Sequence, residues 1–137
     1  MTKAYRIAQE LDRVRRKLDV QMNKRMPLMD TGNIGHNESL LLLQLADLQG
    51  ASIQELAEKM GRDHSQTARV IKQLEGKGAI RRARNPADKR ETSLHVTDYG
   101  DIHLQEIRDE LTEIVEEALG TLSEAEQNLL LDLLSRI

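Results

Sequence analysis

Two helix starts and two helix stops crowd into the stretch from Ser52 to Gly78, and no other feature restricts the fold of this chain as strongly. Ser52 and Glu55 form an S-x-x-E capping box, in which hydroxyl and carboxylate satisfy backbone N–H groups that a helix start leaves without partners. Ile53, Leu56, Ala57 and Met60 then fall on one inward stripe, and Gly61 ends the segment. Asp63 caps a second helix with Gln66 three residues on, and Thr67, Val70, Ile71 and Leu74 mark its buried side. Gly76 and Gly78 stop it. Helices this short are marginal alone, so the two must pack on each other across a glycine-containing turn of about four residues. That is the helix-turn-helix arrangement.

The flanks follow the same logic. Ile7, Leu11, Val14, Leu18 and Met22 stripe an amphipathic helix over Ala4–Met26, which Pro27 closes. Residues 28–37, with Asp30, Gly32, Asn33 and Gly35, read as a loop. A helix from Glu38 to Leu48 carries Leu41, Leu42, Leu45 and Leu48, so dense in leucine that burial on more than one face is expected, with Gly50 as its left-handed cap. Beyond Gly78 the pattern changes. Ala79–Ala83 is a short strand, Asn85-Pro86 and Ala87-Asp88 turn the chain, and Glu91–Val96 alternates, with Thr92, Leu94 and Val96 on one face and Glu91, Ser93 and His95 on the other. Thr97 caps a long helix over Asp98–Leu119, and a second box, Ser123 with Glu126, opens a last one with Leu130, Leu133, Leu134 and Ile137 aligned. The expected fold is mainly α with a small β-hairpin wing: one domain over 1–137, a winged helix-turn-helix at 36–100, and helices at 1–27 and 101–137 flanking it.

Composition excludes much. The 137 residues include 21 leucines but no Phe or Trp, and Tyr5 and Tyr99 are the only tyrosines, so the core must be aliphatic. Zero cysteines remove disulfides, thiolate metal sites and thiol redox switches. The longest apolar run, Leu40–Leu43, is far too short to span a membrane, and Lys3, Arg6, Glu10 and Asp12 leave no apolar signal core. A cytoplasmic protein with no membrane partner is expected. No phosphate loop, nucleophile elbow or paired acids suggest an enzyme, and no cofactor is implied. Of His36, His64, His95 and His103, no pair has the i, i+4 spacing of a helical metal site, and none is assigned as a ligand. Met22, Met26 and Met29 are either flexible core filler or the lining of a ligand cleft.

The net charge of −3 conceals blocks of opposite sign: +5 over 1–25, −4 over 26–61, +6 over 62–90 and −10 over 91–137. Either basic and acidic helices pack together, or a basic face awaits an acidic partner. The motifs bear on that choice. The run Asp88-Lys-Arg-Glu-Thr-Ser-Leu-His-Val-Thr-Asp-Tyr-Gly100 resembles the D-x-R-x-x-x-L-x-L-T-x-x-G wing signature of MarR-type transcriptional regulators, with Val96 in place of Leu. Ser65–Ile80 is similar to that family's recognition helix and its Leu-Glu-x-x-Gly exit. Asn85 stands where the family usually has Asp before Pro.

The resemblance implies a dimeric, sequence-specific regulator of double-stranded DNA at an inverted-repeat operator, a repressor released by a small-molecule effector. It also implies a homodimer interface of interleaved terminal helices, and it leaves open a regulatory metal site of His36 and Glu38 joined by His103. Independently, Ile7, Leu11, Val14 and Leu18 with Leu130, Leu133, Leu134 and Ile137 are more apolar surface than a small winged core can cover. If Thr67, Val70, Ile71 and Leu74 are buried, then Ser65, Gln66, Arg69, Lys72 and Gln73 face outward. Gln66 suits adenine and Arg69 guanine in a major groove, Ser65 a base or a phosphate, and Lys72 a phosphate. In the wing, Arg82, Arg84, Asp88, Lys89 and Arg90 are the candidates; by resemblance Arg90 is the wing arginine and Asp88 holds it in a bidentate pair. The competing function is a winged-helix adaptor that sets the same basic face against an acidic protein.

Overall fold

A computed structural model describes residues 1–25, 34–85 and 88–137, with positions 85 and 88–91 described at backbone level alone. Met26, Met29 and the side chains of Asp88, Lys89 and Arg90 lie outside the described residues. The elements run α1 (Lys3–Arg25), α2 (His36–Asp47), α3 (Ile53–Met60), α4 (His64–Gly76), β1 (Ile80–Asn85), β2 (Asp88–Val96), α5 (Asp98–Ala118) and α6 (Glu124–Ser135). The chain divides into two compact units, one of residues 28–108 and one of 1–27 with 109–137. The division falls inside α5 rather than at its start.

In the unit of residues 28–108 the core is aliphatic throughout. Leu41, Leu42 and Leu45 of α2, Leu56 of α3, Ile71 and Leu74 of α4, Leu94 of β2 and Leu104 and Ile107 of α5 are buried together. Leu43 and Ala46 pack on this cluster from other sides of α2, so leucine density there does correspond to burial around the helix. The caps sit where their residues predict. Ser52 Oγ accepts from the Glu55 N–H at 3.1 Å, the one half of the expected Ser52–Glu55 box that forms, and Asp63 Oδ1 accepts from the Gln66 N–H at 2.8 Å. Gly61, at φ 63°, closes α3 in the left-handed conformation that costs a β-carbon-bearing residue energy. At the far end of the hairpin, Thr97 Oγ1 accepts from the Gly100 N–H at 3.0 Å and donates to the Gly78 carbonyl at 2.6 Å.

Several boundaries differ from expectation. Helix α2 begins at His36, because Gly35 starts the turn without a side-chain cap and its carbonyl accepts both the Ser39 N–H and the Ser39 hydroxyl. Helix α4 runs through Gly76 and is capped at Lys77, since helical geometry costs glycine about 1 kcal/mol but does not forbid it. Both strands are longer than read, reaching Asn85 and starting at Asp88, because cross-strand pairing continues to Asn85–Asp88 through an irregularity between Arg84 and Asn85. Gly50 is not the cap of α2. That helix closes on Leu48, while Gly50, at φ 88°, turns the chain toward β2.

The other unit holds α1, the second half of α5 and α6. Arg25 reaches Glu110, Glu113 and Glu117 at 3.2, 2.8 and 3.1 Å, three carboxylates on one face of α5. The Glu110 hydrogen bond, helped by that of Glu113 and by the Glu117 and Glu110 charges, raises the arginine's already high pKa against the opposing effect of burial. Helix α6 opens with a complete capping box between Ser123 and Glu126.

Candidate nucleic-acid interface

Helix α4 has two chemically distinct sides. Thr67, Ile71 and Leu74 are buried, whereas Ser65, Gln66, Arg69, Lys72 and Gln73 are all exposed. The division follows from the sequence spacing: residues three and four apart share a helix face, and the apolar ones are drawn into the core of α2, α3 and the hairpin. At the helix start, Asp63 organises the first turn. Its Oδ1 accepts from the Gln66 N–H and from the Ser65 hydroxyl at 2.9 Å. The Gln66 backbone bond, then the Ser65 hydroxyl bond, outweigh the opposing effect of burial and, with lesser help from the Ser65 backbone and the Arg69 charge, hold its carboxyl below the ordinary aspartate value. Asp63 is therefore ionised at neutral pH. Among the described residues no ion pair holds Arg69 or Lys72, so both cations are presented on the exposed face.

The hairpin stands beside this helix. Arg81 pairs across the ladder with His95, Arg82 with Leu94 and Arg84 with Thr92. Arg81, Arg82 and Arg84 are exposed, but they are not equivalent. The Arg82 Nε donates to Glu75 at the end of α4 at 3.0 Å, which couples wing to helix and occupies a side chain read from sequence as a DNA contact. The residues that brace the wing from behind had no signature of their own. The Gly50 N–H donates to the Leu94 carbonyl at 2.8 Å, the Leu94 N–H to the Ala51 carbonyl at 2.9 Å, and the Val96 N–H to Gln49 Oε1 at 3.0 Å. Residues 49–51 thus brace β2 from a turn, through two backbone hydrogen bonds and one to the Gln49 side chain. A partly buried ion pair, Lys77 Nζ to both carboxylate oxygens of Glu38 at 2.9 and 2.7 Å, anchors the exit of α4 to the first turn of α2.

In the terminal unit, Ile7, Leu11, Val14, Leu133 and Leu134 are each about half exposed, and Ile137 is almost fully so. Leu18 and Leu130 are partly covered. Ile7, Leu11, Val14, Leu119, Leu122, Leu130 and Leu134 border an apolar groove of about 730 Å³ between the helices of this unit. Among the described residues no three His, Asp or Glu side chains are grouped to hold a metal ion. Glu38 is engaged by Lys77, and His103 is buried with its ring edge-on to Tyr99, centroids 4.3 Å apart. Among the described residues no helix is long and apolar enough to cross a membrane.

The MarR family model matches residues 34–92. Over 107 residues the chain is 33% identical to the uncharacterized HTH-type transcriptional regulator YxaD of Bacillus subtilis (strain 168), covering 78% of this chain and 75% of that one. It is 36% identical over 100 residues to YdgJ of the same organism, also named an uncharacterized HTH-type transcriptional regulator, covering 73% of this chain and 60% of the relative. The chain thus spans about six tenths of the length of that relative. In fold it is similar to a mutant of MarR from E. coli solved in complex with operator DNA, with a TM-score of 0.77 at 22% identity over 95% of this chain and 91% of that one.

Proposed function

The chain belongs to the MarR family, and from that premise we propose that it regulates transcription as a homodimer bound to double-stranded DNA, repressing until a small-molecule effector releases it. The observation that carries the reading is the outward face of α4: Ser65, Gln66, Arg69, Lys72 and Gln73 exposed together, on a helix whose other side is locked into the core. A helix held this way offers base-reading side chains at low ordering cost to a major groove, which is wide enough to admit it. Arg81 and Arg84 lie on the adjoining hairpin, suited to phosphate or a narrow minor groove. The half-exposed leucines of α1 and α6 support the second copy, because a contiguous apolar patch of this kind marks an interaction surface. Two-fold symmetry then requires an inverted-repeat operator with half-site centres roughly 34–36 Å apart. Release by an organic effector, and a cytoplasmic location, rest on the family alone.

The test is selection of the pure protein on a random duplex library, followed by a salt series on the retained and a scrambled duplex. Binding should fall steeply with salt, and Arg69→Ala should cost about 1–3 kcal/mol on the retained duplex while sparing the scrambled one. Retention that is insensitive to salt, or no enrichment, would instead favour an acidic protein partner.

A further inference from the structure

We propose that Ser65 selects for an exocyclic base amine, adenine N6 or cytosine N4, because its only proton is already committed to Asp63; this rests on the reading of α4 as the helix that enters the major groove. A serine hydroxyl has one hydrogen to donate and two lone pairs to accept with. In this chain the hydrogen lies on Asp63 Oδ1, at 2.9 Å. The acceptor is an ionised carboxylate, fixed in turn by the Gln66 N–H at 2.8 Å, so the bond is charge-assisted and stronger than a neutral one. Breaking it to serve a phosphate would exchange one anionic acceptor for another and leave the Asp63 carboxylate under-bonded beside the negative backbone.

What Ser65 still offers to a ligand is its lone pairs. It is exposed, on the same face as Gln66 and Arg69, and phosphate oxygens have no hydrogen to give it. Along the major-groove edge, guanine N7 and O6, adenine N7 and thymine O4 are acceptors too, and only the amines of adenine and cytosine donate. A residue whose type suits bases and phosphates alike is therefore narrowed by its neighbour two positions back to half of the base code. Asp63 acts as a positioning residue in this, since it sets the polarity of Ser65 without touching DNA.

The experiment uses the full chain and the duplex it enriches from a random library. Purine deoxynucleoside replaces each adenine of one half-site in turn, and 2-pyrimidinone deoxynucleoside each cytosine, deleting one amine at a time. At one position the deletion should weaken the wild type roughly tenfold and weaken Ser65→Ala no further, while Ser65→Thr, which keeps the hydroxyl, should behave as wild type. Asp63→Asn preserves a good helix cap but makes the acceptor neutral, and should broaden the base tolerated at that position with helicity unchanged. The proposal is overturned if every amine deletion affects wild type and Ser65→Ala equally. It is equally overturned if Ser65→Ala weakens all duplexes alike with a shallower salt slope, the behaviour of a phosphate donor. If the wild type enriches no duplex, the DNA-binding reading fails, and this proposal with it.

Discussion

Replacing Gly100 by alanine sets two effects of opposite sign against each other. Gly100 lies in the first turn of α5, where helix propensity favours alanine over glycine by up to about 1 kcal/mol. Packing opposes the change. A β-carbon there would lie 2.2 Å from the Ala79 carbonyl oxygen and 2.7 Å from Val96 Cγ1, whereas carbon and oxygen approach comfortably only at about 3.3 Å or more. Backbone must therefore move by about 1 Å, and the backbone in question is committed. The same Ala79 oxygen accepts the Thr97 N–H at 3.1 Å, and Thr97 in turn holds Gly78 and Gly100. Overpacking costs about 1–3 kcal/mol and a lost hydrogen bond about 1 kcal/mol more. The sum outweighs the propensity gain, leaving Gly100→Ala destabilising by about 1–3 kcal/mol. Urea unfolding at one protein concentration measures it, with Gly76→Ala as the control, since no atom lies within 4 Å of a β-carbon at that helical glycine. Gly76→Ala should be neutral or stabilising. If Gly100→Ala matched or exceeded wild-type stability, the close approach of α5 to Ala79 would be refuted.

Three further outcomes are expected. Leu11→Glu and Leu133→Glu alter side chains about half exposed in the single chain; if a second copy covers them, each should cost a dimer about 3 kcal/mol or more, counted over two symmetry-related sites, and sedimentation should show monomers with unchanged helicity, whereas an intact dimer would remove these helices from the interface. His103 is buried, and burial lowers its pKa from the ordinary imidazole value against an opposing pull from Glu106; the unfolded chain then binds the proton more readily, so stability should be full above about pH 6.5 and decline as pH falls toward the folded value, a slope that His103→Leu should flatten in urea melts at pH 7.5 and 5.5. Glu75→Gln frees Arg82 from its 3.0 Å ion pair, and the log–log salt slope of duplex binding should steepen by about one per subunit; an unchanged slope would mean that Arg82 does not reach phosphate.

Legibility in this sequence followed the range of the interaction. Ser52, Asp63, Thr97 and Ser123 act on backbone N–H groups three residues away, so their roles were readable from spacing, and each makes its expected bond. The buried stripe of α4 was readable because core and surface alternate with the helical period. What escaped was non-local. Residues 49–51 carry neither alternation nor β-branched side chains, and their pairing with Leu94 and Val96 uses backbone and one glutamine across more than forty positions. Gly50 illustrates the ambiguity: a left-handed glycine after a helix reads as its cap, and only the position of β2 shows that it serves the sheet instead.

The same distinction governs how charge translates into function. Residues 62–90 hold nine Lys and Arg side chains, and a count of charge alone makes all of them eligible for phosphate. The fold separates them. Lys77 is withdrawn by Glu38, and Arg82 is shared with Glu75, pairings between elements that no local pattern announces. A salt slope estimated from the sequence count would therefore be too steep by about two per subunit. Ser65 repeats the lesson in a neutral group, because its donor is spent on Asp63 before any ligand arrives. In each case a neighbour, brought close by the fold or two positions back along the chain, decides what the side chain still has to offer, and the interface is defined by those residual valences more than by residue type.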